Sequence, residues 1–251
     1  MNAKMYCFAM LILFRLFLGS AVASATVSYS DFTESSGTDA TPLFQTPTVS
    51  GDTLNFDPVF TAYADGSGGN ASDTTDGHLG FDVYVIGNHI INELRFSERG
   101  DYSLLSFGNA ALVDVSATLF VEVLEVDGAA LASPVNGEAE MSFSPNANGQ
   151  FLLTSFGTTS GLWTGSADFD IDTLLASHGV PFDNGATKVH VELGNTLQAL
   201  AQIDSQAFIG KNDLQVFSVT SEAGSIPEPA SLGLLIGIPV FLTFIRRRIC
   251  N

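Results

Sequence analysis

"ALVDVSATLFVEVLEV", residues 111–126, alternates with a period of two. Val113, Val115, Ala117, Leu119, Val121 and Val123 fall on one side of an extended chain, and Asp114, Ser116, Thr118 and Glu122 on the other. Successive side chains of a strand point to opposite faces, so this stretch predicts a strand with one face on a core and the other toward water. Phe120 and Leu124 interrupt the polar side, which predicts partial cover at those two positions.

The same pattern recurs outward in both directions. "FDVYVI" from Phe81, "INELRFS" from Ile91, "AEMSFS", "QFLLTSF", "KVHVEL", "QAFI" and "LQVFSV" are β-type segments. Asp127-Gly128, Asn136-Gly137, Asn148-Gly149 and Asn184-Gly185 read as turns between them. Many short strands with little helical periodicity predict an all-β fold, an antiparallel β-sandwich or jelly roll. One short helix fits, with Asp172 as N-cap, "TLLASH" as its turns and Gly179 past its end. "DGSGGNASDTTDG", residues 65–77, is poor in apolar residues and reads as a loop, and the Thr/Ser/Pro/Asp-rich stretch 33–58 reads as irregular. There is no fixed-period repeat.

The chain has 251 residues, of which 45% are hydrophobic, and a formal net charge of −18. All 27 acidic residues except Glu228 lie between Thr26 and Ser225, where the fixed positive charges are Arg95, Arg99, Lys188 and Lys211. Such a surface repels nucleic acid and anionic headgroups. It suits a hydrated surface, a divalent cation or a cationic partner, and the plainer reading is solubility alone. The cysteines are Cys7 and Cys250, so the body has none and no disulfide framework supports it. Packing must hold it, with a metal ion as a candidate addition.

The two ends have their own logic. Residues 1–25, "MNAKMYCFAMLILFRLFLGSAVASA", read as a secretory signal peptide: Lys4, an apolar stretch, then small residues at Ala21, Ala23 and Ala25. Arg15 is an irregularity within the apolar stretch. At the other end, residues 232–245 are apolar and, as a helix, reach roughly 21 Å at ~1.5 Å per residue against a hydrocarbon core of ~30 Å. Snorkelling by Arg246, Arg247 and Arg248 extends this reach, and Pro239 kinks it. The arginines act as a stop-transfer signal and place the C-terminus on the cytoplasmic side, with the body outside. The sequence thus divides into a signal helix (1–25), an extracellular β domain (26–224) and a C-terminal segment with a transmembrane helix (225–251).

Ile226-Pro227-Glu228-Pro229-Ala230-Ser231, a short glycine-containing apolar helix and Arg246-Arg247-Arg248 together resemble the PEP-CTERM sorting signal of exported bacterial proteins. The resemblance implies recognition of Pro227, Glu228 and Pro229 by an exosortase-type processing protease, removal of the helix after a stage in the membrane, and association with extracellular polysaccharide or biofilm matrix. Two prolines hold the recognition segment extended, where a protease can reach it. "FSERGDYSL" (96–104) and residues 191–219 also resemble stretches of β-rich exported proteins that carry this tail, a group without a general catalytic activity.

Catalytic signatures are missing. Gly-x-Ser-x-Gly, His-Glu-x-x-His, a phosphate-binding loop and a dinucleotide fingerprint are absent, and His78, His89, His178 and His190 have no ligand spacing. His190 shares a strand side with Lys188 and Glu192, which reads as a solvated face. Asp168, Asp170 and Asp172 would share one face if all lay on a strand, and three carboxylates suit calcium's preference for hard oxygens. The glycine and the distal glutamate of a calcium loop are missing, and Asp172 has a simpler use as a helix cap. Asp65, Asp73 and Asp76 pose the same question in an acidic loop. Glu138 and Glu140 share a face, as glycosidase acids would, although spacing in sequence fixes no separation. Trp163 reads as core rather than as a sugar platform. The expectation is an exported surface or matrix protein with a non-catalytic structural or polysaccharide-binding role and no cofactor, with a calcium-stiffened structural module as a third option. The alternative is a carbohydrate-active enzyme or binding module on a jelly-roll scaffold.

Overall fold

The computed structural model describes residues 25–223. Residues 1–24 of the signal segment, Pro227, Glu228 and Pro229, the apolar helix and Arg246, Arg247 and Arg248 lie outside the described residues. The chain divides into two units, Met1–Ser221 and Glu222–Asn251, and the first contains the β domain.

Thirteen strands occur among the described residues. They are β1 (Val27–Ser35), β2 (Thr48–Ser50), β3 (Thr53–Phe56), β4 (Phe60–Asp65), β5 (Ala71–Val85), β6 (His89–Ser106), β7 (Ala111–Val126), β8 (Ala129–Glu140), β9 (Ser142–Ser144), β10 (Gln150–Leu153), β11 (Gly157–Asp170), β12 (Ala186–Ala201) and β13 (Ser205–Glu222). One short helix, α1 (Ile171–Ser177), follows β11.

The hydrogen-bonded sheet folds back on itself as two leaves. The first runs β1–β5–β12–β7, and β8 and β10 share the far edge of β7. The second runs β9–β11–β6–β13, with β4 and β3 along the far edge of β13 and β2 outside β3. Among the described residues, the bridge from Ala186 to Ile91 joins them. The registers are antiparallel, and the architecture is the all-β sandwich that the alternating pattern predicts.

The strand read at residues 111–126 forms over that range as β7, with Val113, Val115, Leu119, Val121 and Val123 buried. Val189, Val191, Leu193 and Leu197 of β12 join them from the same leaf, and Leu94, Phe96, Trp163, Ile209 and Leu214 belong to the same core cluster from the other leaf. Each fully buried side chain of this size contributes about 1.5–3 kcal/mol relative to exposure. Polar bonds also cross between the leaves. The Tyr29 hydroxyl donates to the Asp52 carbonyl at 2.6 Å, and burial pushes that phenol up to about 12.

Four expectations change. The helix is capped by Asp170, whose carboxylate accepts from the Thr173 amide at 2.8 Å, so the cap lies two residues before the expected Asp172. Asn136-Gly137 is not a turn but lies inside β8. Its glycine answers to packing, since a Cβ there would stand 2.4 Å from Phe169 Cζ. Residues 71–77 are not loop: they open β5 and pair with β12 from Ala71↔Ala201 onward. Their polar side chains suit a strand whose outer face meets water. The stretch 33–58 likewise carries the end of β1, β2 and β3, and Leu43 and Phe44 are buried.

Candidate functional site

The outer face of the first leaf carries an array of polar groups. Register places Asp82 (β5), His190 (β12), Glu122 (β7) and Asn136 (β8) in one row across four strands. The next row holds Gly80, Glu192, Phe120 and Glu138, and Thr33 of β1 extends it. Tyr84 and Lys188 pair on the opposite side of the first row. Even-numbered residues of β5, β7 and β12 point outward here because their odd-numbered neighbours pack into the core.

Two adjoining depressions mark the face. One, of about 320 Å³, is lined by Phe120, Glu122, Asn136, His190 and Glu192 among others. The second, of about 290 Å³, is lined by Thr33, Glu34, Ser35, His78, Gly80 and Glu192 among others. Glu192 borders both. Phe120 keeps 43% of its surface exposed and Tyr84 38%, so the partial cover expected at Phe120 is slight.

The charges are organised around Asp82. Its Oδ2 lies 2.8 Å from Lys188 Nζ and its Oδ1 2.6 Å from His190 Nδ1. Burial pushes the Asp82 carboxyl up, but hydrogen bonds from Lys188 and His190 outweigh this and hold it below its ordinary value. The bond to Asp82 raises Lys188 in turn. With Nδ1 tied to Asp82, His190 directs Nε2 toward Glu192, 3.7 Å from its Oε1. An imidazole, two carboxylates and a carboxamide thus line an open trough beside an exposed ring. Such a set donates and accepts hydrogen bonds at spacings fixed by the sheet, and no serine, threonine or cysteine nucleophile lines the depression that holds His190.

The other sequence-derived positions are dispersed. Asp168 sits exposed on β11 opposite Arg95, Asp170 caps α1, and Asp172 Oδ2 accepts from Asn92 at 3.1 Å inside the first turn. The strand ends at Asp170, so the three carboxylates do not form one row. Asp73 Oδ2 accepts the Tyr63 amide at 2.8 Å, and Asp65 caps the 3-10 turn at Gly66–Gly68. Asp76 accepts the amides of Gly37 and Thr38 at 2.9 and 2.8 Å, and the Thr38 hydroxyl bond with these amides keeps its carboxyl low. Among the described residues, no group of three or more His, Cys, Asp or Glu side chains is placed to hold a metal ion. Glu138 and Glu140 are exposed on β8, and Trp163 is buried. The row around His190 was not legible from β12 alone, because its partners come from three other strands.

No family model matches the chain, and no curated protein matches it. Some solved structures show a shallow likeness to the chain. TmCBM61 in complex with beta-1,4-galactotriose is 10% identical, with 76% of this chain and 90% of that chain covered and a TM-score of 0.20. A carbohydrate-binding module specific for non-crystalline cellulose, CBM28, is 9% identical over 71% of this chain and 79% of its own, with a TM-score of 0.23. The adhesin domain of Epf from Streptococcus pyogenes is 8% identical over 66% and 60%, with a TM-score of 0.24. Likenesses this shallow carry no site or activity over to this chain.

Proposed function

We propose that this is an exported, non-catalytic surface or matrix protein whose outer trough on the first leaf binds extracellular polysaccharide. The observation that supports this most is the cross-strand row Asp82–His190–Glu122–Asn136, in which Asp82 is buried and the other three reach water beside exposed Phe120. A sugar chain offers hydroxyls at regular intervals and apolar ring faces. A row of fixed acceptors and donors beside an aromatic ring meets both needs. The acidic surface favours neutral or cationic glycans over anionic ones. Delivery rests on the two ends: a cleaved signal peptide, then sorting through Pro227-Glu228-Pro229 with Arg246, Arg247 and Arg248 stopping transfer, and release by an exosortase-type protease.

The test has two arms. Protein recovered from its native host, with and without the processing protease, is weighed intact. A mature form running from about Thr26 to about Pro229 is expected only when the protease is present, and an uncut tail in both hosts overturns the sorting reading. Purified mature body is then titrated with neutral and acidic polysaccharides. Binding that is lost on changing His190 and Phe120 is expected, whereas turnover of a polysaccharide overturns the non-catalytic role.

A further inference from the structure

The centre of the sandwich holds a polar cluster that the proposed binding role does not use. Glu98 of β6, Asn195 of β12 and Lys211 of β13 are 2%, 2% and 1% exposed. They come from both leaves. Lys211 Nζ lies 2.8 Å from Glu98 Oε1 and donates directly to Asn195 Oδ1. Asn195 Nδ2 donates to the same Glu98 Oε1 at 2.9 Å. Phe44 and Phe60 close over the amine, with ring centroids 5.2 and 5.4 Å from Nζ. Glu98 Oε2 is buried with no partner.

We propose that Lys211 and Asn195 become joined by an intramolecular isopeptide bond, with Glu98 as the acid-base group, stapling the two leaves. The geometry supplies every part of an acyl transfer. The nucleophile touches the carboxamide it must attack, and the leaving nitrogen already rests on the carboxyl that must protonate it. Holding reactants in contact removes the entropic cost of bringing them together. A proton passing along the Lys211–Glu98 hydrogen bond converts ammonium and carboxylate into amine and carboxylic acid. Burial favours the neutral amine, since a charge in a low-dielectric site loses its hydration. Desolvation indeed pushes the Lys211 amine down, against the opposing pull of Glu98.

The step balances without any further reagent. The neutral Lys211 amine attacks Asn195 Cγ to form a C–N bond, and the Glu98 carboxylic acid gives its proton to Nδ2. The Cγ–Nδ2 bond breaks, ammonia leaves, and the Glu98 carboxylate takes the proton that the attacking nitrogen sheds. Lysine amine plus carboxamide become a secondary amide plus ammonia, and the carboxyl is regenerated. The product also replaces a buried charged donor by a neutral link. A body without cysteine thereby acquires the covalent brace that disulfides supply elsewhere.

The full-length protein, purified under denaturing conditions, is digested on the N-terminal side of aspartate. Cuts at Asp183, Asp204 and Asp213 place Asn195 in peptide 183–203 and Lys211 in peptide 204–212. A single species is expected whose mass is that of the two peptides less one ammonia, with fragment ions that place the link at Asn195 and Lys211. Two separate peptides, with the Lys211 amine free to be acetylated, would overturn the proposal. Asn195→Ala is expected to give only separate peptides, and any linked species in it moves the link elsewhere and overturns the assignment. In Glu98→Gln the linked fraction falls from nearly all to none; complete linking there removes Glu98 from the reaction. If that variant does not fold, Glu98→Asp is followed after synthesis, and linking as fast as in the parent chain counts against Glu98 in the same way.

Discussion

His190 Nδ1 lies 2.6 Å from Asp82 Oδ1, and the other oxygen of the same carboxylate holds Lys188 at 2.8 Å. The pairing ties β5 to β12 on the outer face and has a definite pH signature. Asp82 is held below its ordinary value of 3.8, so the folded chain takes up that proton less readily than the unfolded one. The stabilisation is therefore fully present above 3.8 and drains away as pH falls through the lower folded value. Lys188 is raised above 10.5, so its share is complete below that value and is lost as pH climbs through the raised one. Asp82→Asn should lower stability at pH 7 by about 1.5–3 kcal/mol, the size of a hydrogen bond to a charged group. Urea midpoints of parent and variant, compared from pH 7 down to about pH 2, should converge in acid. A gap that stays constant would mean that Asp82 is not the titrating partner.

Gly100 answers to space rather than to a turn. It lies within β6, and a Cβ there would meet the Gly210 carbonyl oxygen at 1.9 Å and the Trp163 ring at 2.6 Å. The first obstacle is backbone and cannot rotate away. Gly100→Ala should cost about 3 kcal/mol or more, at or beyond the upper end of ordinary overpacking. The indole sits at the middle of the second leaf, so its near-ultraviolet circular dichroism band should weaken at the same time. An unchanged melting temperature would count against this packing.

Single strands announced themselves more clearly than their partners. β7 was legible because its inward valines and outward polar residues alternate without help from any neighbour. The opening of β5 was not, since Ser72, Asp73, Thr74 and Asp76 look like a loop until β12 supplies their hydrogen bonds. Asp172 reads as the helix cap in the sequence, but β11 pairs with β6 as far as Asp170, which takes the cap instead. The buried cluster did leave a local mark. Glu98 stands between inward Phe96 and Gly100, Asn195 between Leu193 and Leu197, and Lys211 two residues after Ile209. Each is a polar residue at a core position of an alternating strand. Only the fold, however, brings the three together across 97 and 16 residues of chain.

Removing one member of that cluster should cost more than removing a charged pair. Lys211→Met removes the proposed link to Asn195 and leaves Glu98 buried without its partner, and breaking such a buried pair by itself costs about 3–5 kcal/mol. Glu98→Leu combined with Lys211→Met removes the stranded charge, so the double variant should be more stable than the sum of the single losses implies. Asn195 still loses both of its side-chain partners, so recovery should be partial. Denaturant titration of the four proteins measures the coupling, and strict additivity would show that the two side chains do not interact in the folded chain.

The trough makes a prediction that separates ligand contacts from support. Glu192 borders both depressions and is exposed, and Phe120 stands in the same row beside it. Neither holds the fold: Phe120 is 43% exposed, and Glu192 meets His190 only at 3.7 Å. Substituting either should shift stability by no more than about 0.5 kcal/mol, as is usual at exposed positions. If the trough grips a sugar ring against Phe120 and its hydroxyls against Glu192 and His190, each loss should weaken binding by about 1–2 kcal/mol, roughly five- to thirtyfold in affinity. Asp82→Asn should weaken binding as well, since it frees His190 to turn, but it should also lower stability. Calorimetric titration of Phe120→Ala, Glu192→Gln and Asp82→Asn against one polysaccharide, beside their melting curves, distinguishes the two effects. If Phe120→Ala and Glu192→Gln bind as tightly as the parent chain, the ligand lies elsewhere on the sandwich.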